Sequence, residues 1–226
     1  MQIKTLKFQT AMFGNYNYPP TPETMMRVLP LFADLGFMPQ LVNIADTSGL
    51  LLTPRIQLGA SNNFFITLAQ DRIDFTAFMP ENRDHATFFE SVKTFAGRLD
   101  PNLKAHRIAL VEDLAVQDLS AEQIQSVCRQ LLPGALPDSL EFSSRWVSPV
   151  TQGGETYNVC SETVYQPGLG MIVNGQIIGV EGVKVMNDVS TTPANTEIRF
   201  DLANLGEGLM EISNLINQRQ LPFNLE

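Results

Sequence analysis

Two cysteines and two histidines are the first candidates in this chain for a nucleophile and its base. Cys160 with His106 would suit a thiol activated by an imidazole. Nothing in their spacing brings them together, and Cys160 lies in a predicted strand. Cys128 falls on the apolar face of a predicted helix, where a free cysteine acts as a small hydrophobic residue. The sequence therefore predicts no catalytic residues, no disulfide framework and no zinc site.

Acidic pairs are the other candidates for chemistry. Asp71 and Asp74 could act as paired carboxylates, but positions three apart in a strand face opposite sides, which favours a solvated hairpin edge. Glu112 and Asp113 are expected at the surface. His85, in the first turn of a predicted helix, is expected to be exposed. We therefore predict no metal-binding residues, no cofactor-binding residues and no cofactor.

Composition and charge limit the partners that the protein could have. The chain has 226 residues and a formal net charge of −9, with 44% hydrophobic and 17% charged residues. This balance predicts a globular protein of one large or two small domains. The acidic charge, without a basic run, argues against a nucleic-acid partner. No apolar run approaches the roughly 18 residues that span a bilayer, and MQIKTLKFQT lacks the core of a signal peptide, so we expect a cytoplasmic protein with no membrane partner.

Residues 63–99 are the stretch around which we expect the rest of the fold to form. FFITLA and RIDFTAF have the period of two and the aromatic and β-branched residues of half-buried strands. Gln70-Asp71 between them predicts a short hairpin. Asp84 then caps a helix with a broad apolar face, and Asp100-Pro101 ends it. Each of these elements has an apolar face that another element must cover.

The flanking segments show similar signals. A first strand, Lys4–Phe13, precedes a helix that Thr21-Pro22 starts and Gly36 ends. In the second half, Ser120 with Gln123 predicts a capping box. The other predicted second-half elements are the strands His106–Val116, Leu140–Val150, Glu155–Val164 and Thr196–Leu202, the turn Asn174-Gly175, and a last helix capped by Asn204.

Set side by side, residues 1–101 and 102–226 follow the same plan. Each runs through a strand, a capped helix, several antiparallel strands and a closing helix. The strand Arg72–Phe75 also matches Glu197–Phe200 in its I-x-F pattern. The predicted fold is α+β, with two similar β-α-β-β-β-β-α halves, a helix-grip or TBP-like duplication, sharing a largely antiparallel sheet. The halves form two domains or one continuous domain.

Three stretches of the chain stand out, namely ITLAQDRIDF, HRIALVEDL, and the ending EIRFDL with GLMEISNLINQRQLPF. They resemble a sporadically distributed family of uncharacterised bacterial proteins of similar length. The resemblance spans roughly residues 50–223. It implies no catalytic residues, and the family's patchy distribution implies an accessory role beside defence or mobile-element genes.

Our leading hypothesis is a non-enzymatic cytoplasmic protein-interaction component, a subunit or adaptor of a bacterial accessory system. The alternatives are a small-molecule-binding protein with an apolar cavity between sheet and helices, and an enzyme with dispersed acidic residues. Residues 176–185 (QIIGVEGVKV) carry only two charges, so we expect them at a sheet edge and in a homodimer contact. A strand paired within its own sheet would have the same pattern. The predicted interface residues are Gln176, Ile178, Val180, Val183 and Val185.

Overall fold

A computed structural model of the chain describes residues 1–45, 52–59, 63–80, 84–134, 140–173, 176–218 and 221–224. The helices are α1 (Pro22–Phe32), α2 (His85–Leu99), α3 (Ala121–Leu131) and α4 (Leu205–Asn217), with a 3-10 turn at Ala33–Leu35. The strands are β1 (Gln2–Phe13), β2 (Met38–Ala45), β3 (Leu52–Gly59), β4 (Phe64–Leu68), β5 (Arg72–Phe78), β6 (Lys104–Ala105), β7 (Arg107–Gln117), β8 (Phe142–Gln152), β9 (Glu155–Tyr165), β10 (Gly170–Val173), β11 (Gln176–Gly179), β12 (Val183–Thr191) and β13 (Phe200–Asp201).

Nine strands form one antiparallel sheet in the order β2-β3-β4-β5-β1-β7-β12-β9-β8. The halves of the chain join through β1 and β7, which pair from Gln2 opposite Gln117 to Phe13 opposite Arg107. The predicted α+β class with a largely antiparallel sheet is therefore confirmed.

The strand order is similar on the two sides of this central pair. β1 lies beside β5, with β4, β3 and β2 outside it, and β7 lies beside β12, with β9 and β8 outside it. The expected match of Arg72–Phe75 with Glu197–Phe200 is wrong. In the second segment only Phe200–Asp201 is a strand, and it pairs with β6 outside the large sheet. Ile198 is 68% exposed, whereas Ile73 is fully buried.

All four helices pack on one face of the sheet. In β7, Ile108 and Leu110 belong to a buried apolar cluster with α1, α2 and α4, and Leu114 and Val116 belong to a second cluster with α3. Alternate residues of a strand share a face, so both clusters lie on the same side. Among the described residues, no helix is long and apolar enough to cross a bilayer.

Three helix starts follow the predicted capping. Thr21 Oγ1 accepts a hydrogen bond at 3.3 Å from the backbone N–H three residues on. The Asp84 carboxylate accepts from the N–H groups two and three residues on, at 3.0 and 3.2 Å. Ser120 and Gln123 form both bonds of a capping box. Each cap of this kind stabilises a helix by about 1 kcal/mol.

Other local predictions differ from the structure or fall outside it. Asn204 does not cap α4, because its Oδ1 instead accepts from the backbone N–H of Asp201 at 2.9 Å. The predicted turn at Asn174-Gly175 lies outside the described residues. The strands beside it pair as β10 and β11, apart from the large sheet, with Val173 opposite Gln176.

Candidate functional site

A cluster of buried polar side chains lies where α2 and α4 meet the centre of the sheet. His85 begins α2, Ser213 lies on α4 and Glu112 lies on β7. His85 Nδ1 is 2.7 Å from Ser213 Oγ, so the two atoms share a hydrogen bond. On the other side of the ring, His85 Nε2 is 3.5 Å from Glu112 Oε1. These side chains come from three elements that are distant in sequence, and the packing of the helices on the sheet brings them together.

The polar cluster continues across the sheet as a row. Asn187 of β12 lies opposite Glu112 on one side and Ser161 of β9 on the other. Ser161 Oγ donates to Asn187 Oδ1 at 3.1 Å, and both residues are buried. Along β7, Glu112 separates Leu110 of the first apolar cluster from Leu114 of the second. The row therefore divides the interior into two apolar parts.

Serine, histidine and glutamate are the residue types of a hydrolase triad. Here Ser213 is 1% exposed, His85 5% and Glu112 0%, so a substrate has no access to the serine oxygen. The Phe8 ring meets the imidazole edge-on at 4.6 Å, and the Phe89 ring stacks on it at 5.9 Å between centroids. We assign the cluster a structural role, in which Ser213 satisfies His85 Nδ1, while Nε2 faces Glu112 without a hydrogen bond among the described residues. The expectation that His85 is exposed is wrong, because the first turn of α2 packs beside α4.

Glu112 and Asp113 are also not at the surface, being 0% and 3% exposed. Adjacent residues of a strand face opposite sides, so Asp113 points away from the helices. Its Oδ2 lies 3.3 Å from Lys7 Nζ and 3.2 Å from Lys184 Nζ. The sequence signal for Glu112 was its place in the alternation Ile-x-Leu-x-Glu-x-Leu, which faces the helices.

The cysteine and histidine that could form a nucleophile pair lie apart. Cys160 of β9 lies opposite Asp188 of β12, and Asp188 lies opposite Val111 of β7 on its other side. His106 precedes β7 and is five residues from Val111, which is roughly 17 Å along an extended strand. Burial raises the pKa of the Cys160 thiol, which disfavours the thiolate.

The two aspartates of the predicted hairpin also have separate surroundings. The hairpin itself forms, since the N–H of Ala69 donates to the carbonyl of Arg72 at 2.9 Å. Asp71 is exposed in the turn. Asp74 is buried, with Oδ1 2.6 Å from Arg72 Nη2 and accepting from Gln9 Nε2 at 3.0 Å. Over the described parts of the chain, no three histidine, cysteine or acidic side chains gather as a metal site requires.

The sheet face opposite the helices carries charges of both signs. The strand register places on it the basic residues Lys4, Lys7, Arg55, Arg72, Arg107, Arg145 and Lys184 and the acidic residues Asp74, Asp113, Glu162 and Asp188. The guanidinium groups of Arg72 and Arg107 both lie over the Phe13 ring, at 5.0 and 4.4 Å from its centroid. A cavity of about 640 Å³ opens on this face, between β1, β3, β4 and β5.

The predicted interface segment is not one continuous edge strand. Gln176–Gly179 forms β11, and Gly182, with φ 91°, separates it from β12. β12 pairs on both sides, and its Val183 and Val185 are fully buried. Val180 is buried and Ile178 is half-buried, as expected of residues packed within the chain. A partner contact through this segment stays a prediction, but its strand β12 offers no free edge.

The edges of the large sheet are instead β2 and β8. β2 contains no charged residue, and its Met38 and Leu41 are 64% and 51% exposed. β8 contains Arg145 and Pro149, and a proline has no N–H to donate to a further strand, whereas the proline of β2, Pro39, lies at the start of its strand. The two edges therefore differ in how well they resist pairing.

The sequence matches no known protein-family profile and none of the curated proteins with which it was compared.

Proposed function

We propose that this protein is a non-enzymatic interaction component that associates with a second copy of itself through the sheet edge β2. The observation that carries the proposal is the uncharged, exposed β2 strand at the end of a nine-stranded sheet. An edge strand presents a row of unpaired N–H and C=O groups, and proteins that avoid pairing place charges or proline there. A role in a bacterial accessory system rests on the sequence resemblance.

Self-association is the pairing that β2 suits best. Two identical strands can pair antiparallel about a two-fold axis, which forms a closed dimer. Residues facing each other across such a pair are destabilising when they carry like charges, and no register of Met38–Ala45 with itself brings two charges together. This matters because the chain has a net charge of −9, so two copies repel each other overall. Pro39 removes one donor at the start of the strand, so pairing is expected from Gln40 onward.

A lysine at the exposed edge should break this association without disturbing the fold. Leu41→Lys places two ammonium groups near each other in the paired strands, and we expect roughly tenfold or greater weakening of the dimer. Sedimentation velocity over a wide concentration range measures it. Val147→Lys, at a residue of β8 that is 49% exposed, is the matched control and should dimerise like the parent.

A parent protein that stays monomeric at high concentration would contradict the proposal. Equal weakening of the dimer in Leu41→Lys and Val147→Lys would also contradict it, since that would show a general effect of added charge. The thermal midpoint of Leu41→Lys should match that of the parent monomer, because Leu41 is half exposed.

We also infer that the halves of the chain arose by duplication. The support is the shared strand order, in which the first and last sheet strands of each half are neighbours and the intervening strands follow outward. Hairpin β10–β11 would then be an insertion in the second half. Superposition of residues 1–101 on 104–226 should align α1 with α3 and α2 with α4, and a failure to align these helices would refute it.

A further inference from the structure

The cavity on the uncovered face contains an arginine that leaves part of its hydrogen-bonding capacity unused among the described residues. Arg55 lies on β3, with its Nε and Nη1 buried and without an acceptor among the described residues. The other cations of the cavity are paired, Lys7 Nζ lying 3.3 Å from Asp113 Oδ2 and Arg72 Nη2 2.6 Å from Asp74 Oδ1. A buried donor without a partner costs free energy, the more so when it is charged. A ligand acceptor would remove that cost.

We propose that this cavity binds a small organic anion whose carboxylate or phosphate group is held by Arg55. A guanidinium presents parallel N–H donors that match the oxygens of either group. The cavity's three cations and two carboxylates leave one net positive charge, which also favours an anion. Its volume of about 640 Å³ lies within the range of small-molecule sites.

The rest of the cavity indicates what the anion carries. Thr67 and Gln57 line the same cavity as Arg55, and Gln57 Nε2 donates a hydrogen bond to Thr67 Oγ1 at 3.3 Å. Phe65 and Phe78 form an edge-to-face pair with centroids 5.7 Å apart. These rings line the cavity together with Met171 of β10, so the ligand has an apolar, ring-sized part next to its charged group. The site does not depend on association through β2.

Calorimetric titration with benzoate and with phenyl phosphate tests the site and separates the two anionic groups. We expect the parent to bind at least one of them. Arg55→Gln should bind roughly tenfold or more weakly, since it loses charge-assisted hydrogen bonds, and Arg55→Lys should recover only part of the affinity. Arg145→Gln is the matched control, because Arg145 lies on the same face, outside the cavity, with 59% of its side chain exposed. It should bind like the parent.

Three results would overturn the proposal. They are an absence of heat and of thermal stabilisation with both probes, unchanged affinity in Arg55→Gln, and an equal loss in Arg145→Gln. Binding of benzoate alone assigns a carboxylate, and binding of phenyl phosphate alone assigns a phosphate. The oligomeric state of Arg55→Gln should equal that of the parent, so failure here is distinct from failure of the β2 dimer.

Discussion

At the scale of single residues, burial and nearby cations shift the pKa of the Asp188 carboxyl in opposite directions. Burial raises the pKa of this carboxyl, and the nearby cations Arg107, Arg72 and Lys7 oppose the shift without cancelling it. The pKa of Arg107 is in turn lowered by burial, with Asp188 opposing that change. Both side chains are partly buried, and this burial makes their charges more costly to keep.

Replacing Asp188 by asparagine should stabilise the protein at neutral pH. Because the folded pKa is above that of the unfolded chain, the folded state binds this proton more tightly. The contribution of this proton to the free energy of unfolding is fully present below the unfolded pKa of about 3.9. It is lost as the pH rises through the folded pKa. The asparagine side chain does not ionise. The free energy of unfolding of Asp188→Asn should therefore exceed that of the parent at pH 7, and the two values should converge in acid.

Urea unfolding at both pH values measures this difference. Glu141→Gln, which removes an exposed carboxylate, is the control and should show little pH-dependent difference. A less stable Asp188→Asn at pH 7 would mean that attraction to Arg107 outweighs the cost of burial.

At the scale of elements, the join between β11 and β12 depends on one glycine. Gly182 has φ 91°, a conformation that disfavours side chains, and a Cβ there would lie 2.0 Å from the carbonyl oxygen of Val116. The chain therefore passes close to the backbone of β7 as it leaves the small hairpin and enters the large sheet.

Gly182→Ala should destabilise the fold, because it adds both backbone strain and a clash. We expect a loss of about 2 kcal/mol in the free energy of unfolding, measured by urea titration. Gly179→Ala is the matched control, since a Cβ at Gly179 meets no atom within 4 Å, and it should unfold nearly like the parent. Equal stability of the two variants would show that the join can move to accept a side chain.

At the scale of the whole molecule, charge sets which large partners can approach. The net charge is −9, and the basic residues of the uncovered face alternate with Asp74, Asp113, Glu162 and Asp188. A nucleic-acid surface needs a patch that replaces many counterions. The mixed face suits small anions or protein surfaces better than a polyanion.

We therefore predict no appreciable affinity for duplex DNA at physiological salt. Fluorescence polarisation of a labelled duplex titrated with protein measures it, and a known DNA-binding protein serves as the positive control. Tight binding that weakens steeply with added salt would contradict the prediction, since it would reveal a continuous basic surface.

Elements whose stability comes from neighbouring residues can be predicted from the sequence. The caps at Thr21, Asp84 and Ser120 and the hairpin at Gln70-Asp71 were predictable, because each involves hydrogen bonds over two or three positions. The α+β class follows from the same signals, since alternating strands and amphipathic helices must cover one another.

Which strands pair and which lie at the sheet edges depends on long-range contacts that appear only in the folded chain. β12 became an interior strand and β2 an edge through pairings between residues far apart in sequence, which periodicity does not report. The same holds for the candidate sites. His85 is buried because α4, 128 residues further along at Ser213, packs beside it. Arg55 and Lys7 share a cavity because β3 and β1 lie in one sheet, and the sheet order depends on the total burial and pairing of the chain rather than on either residue.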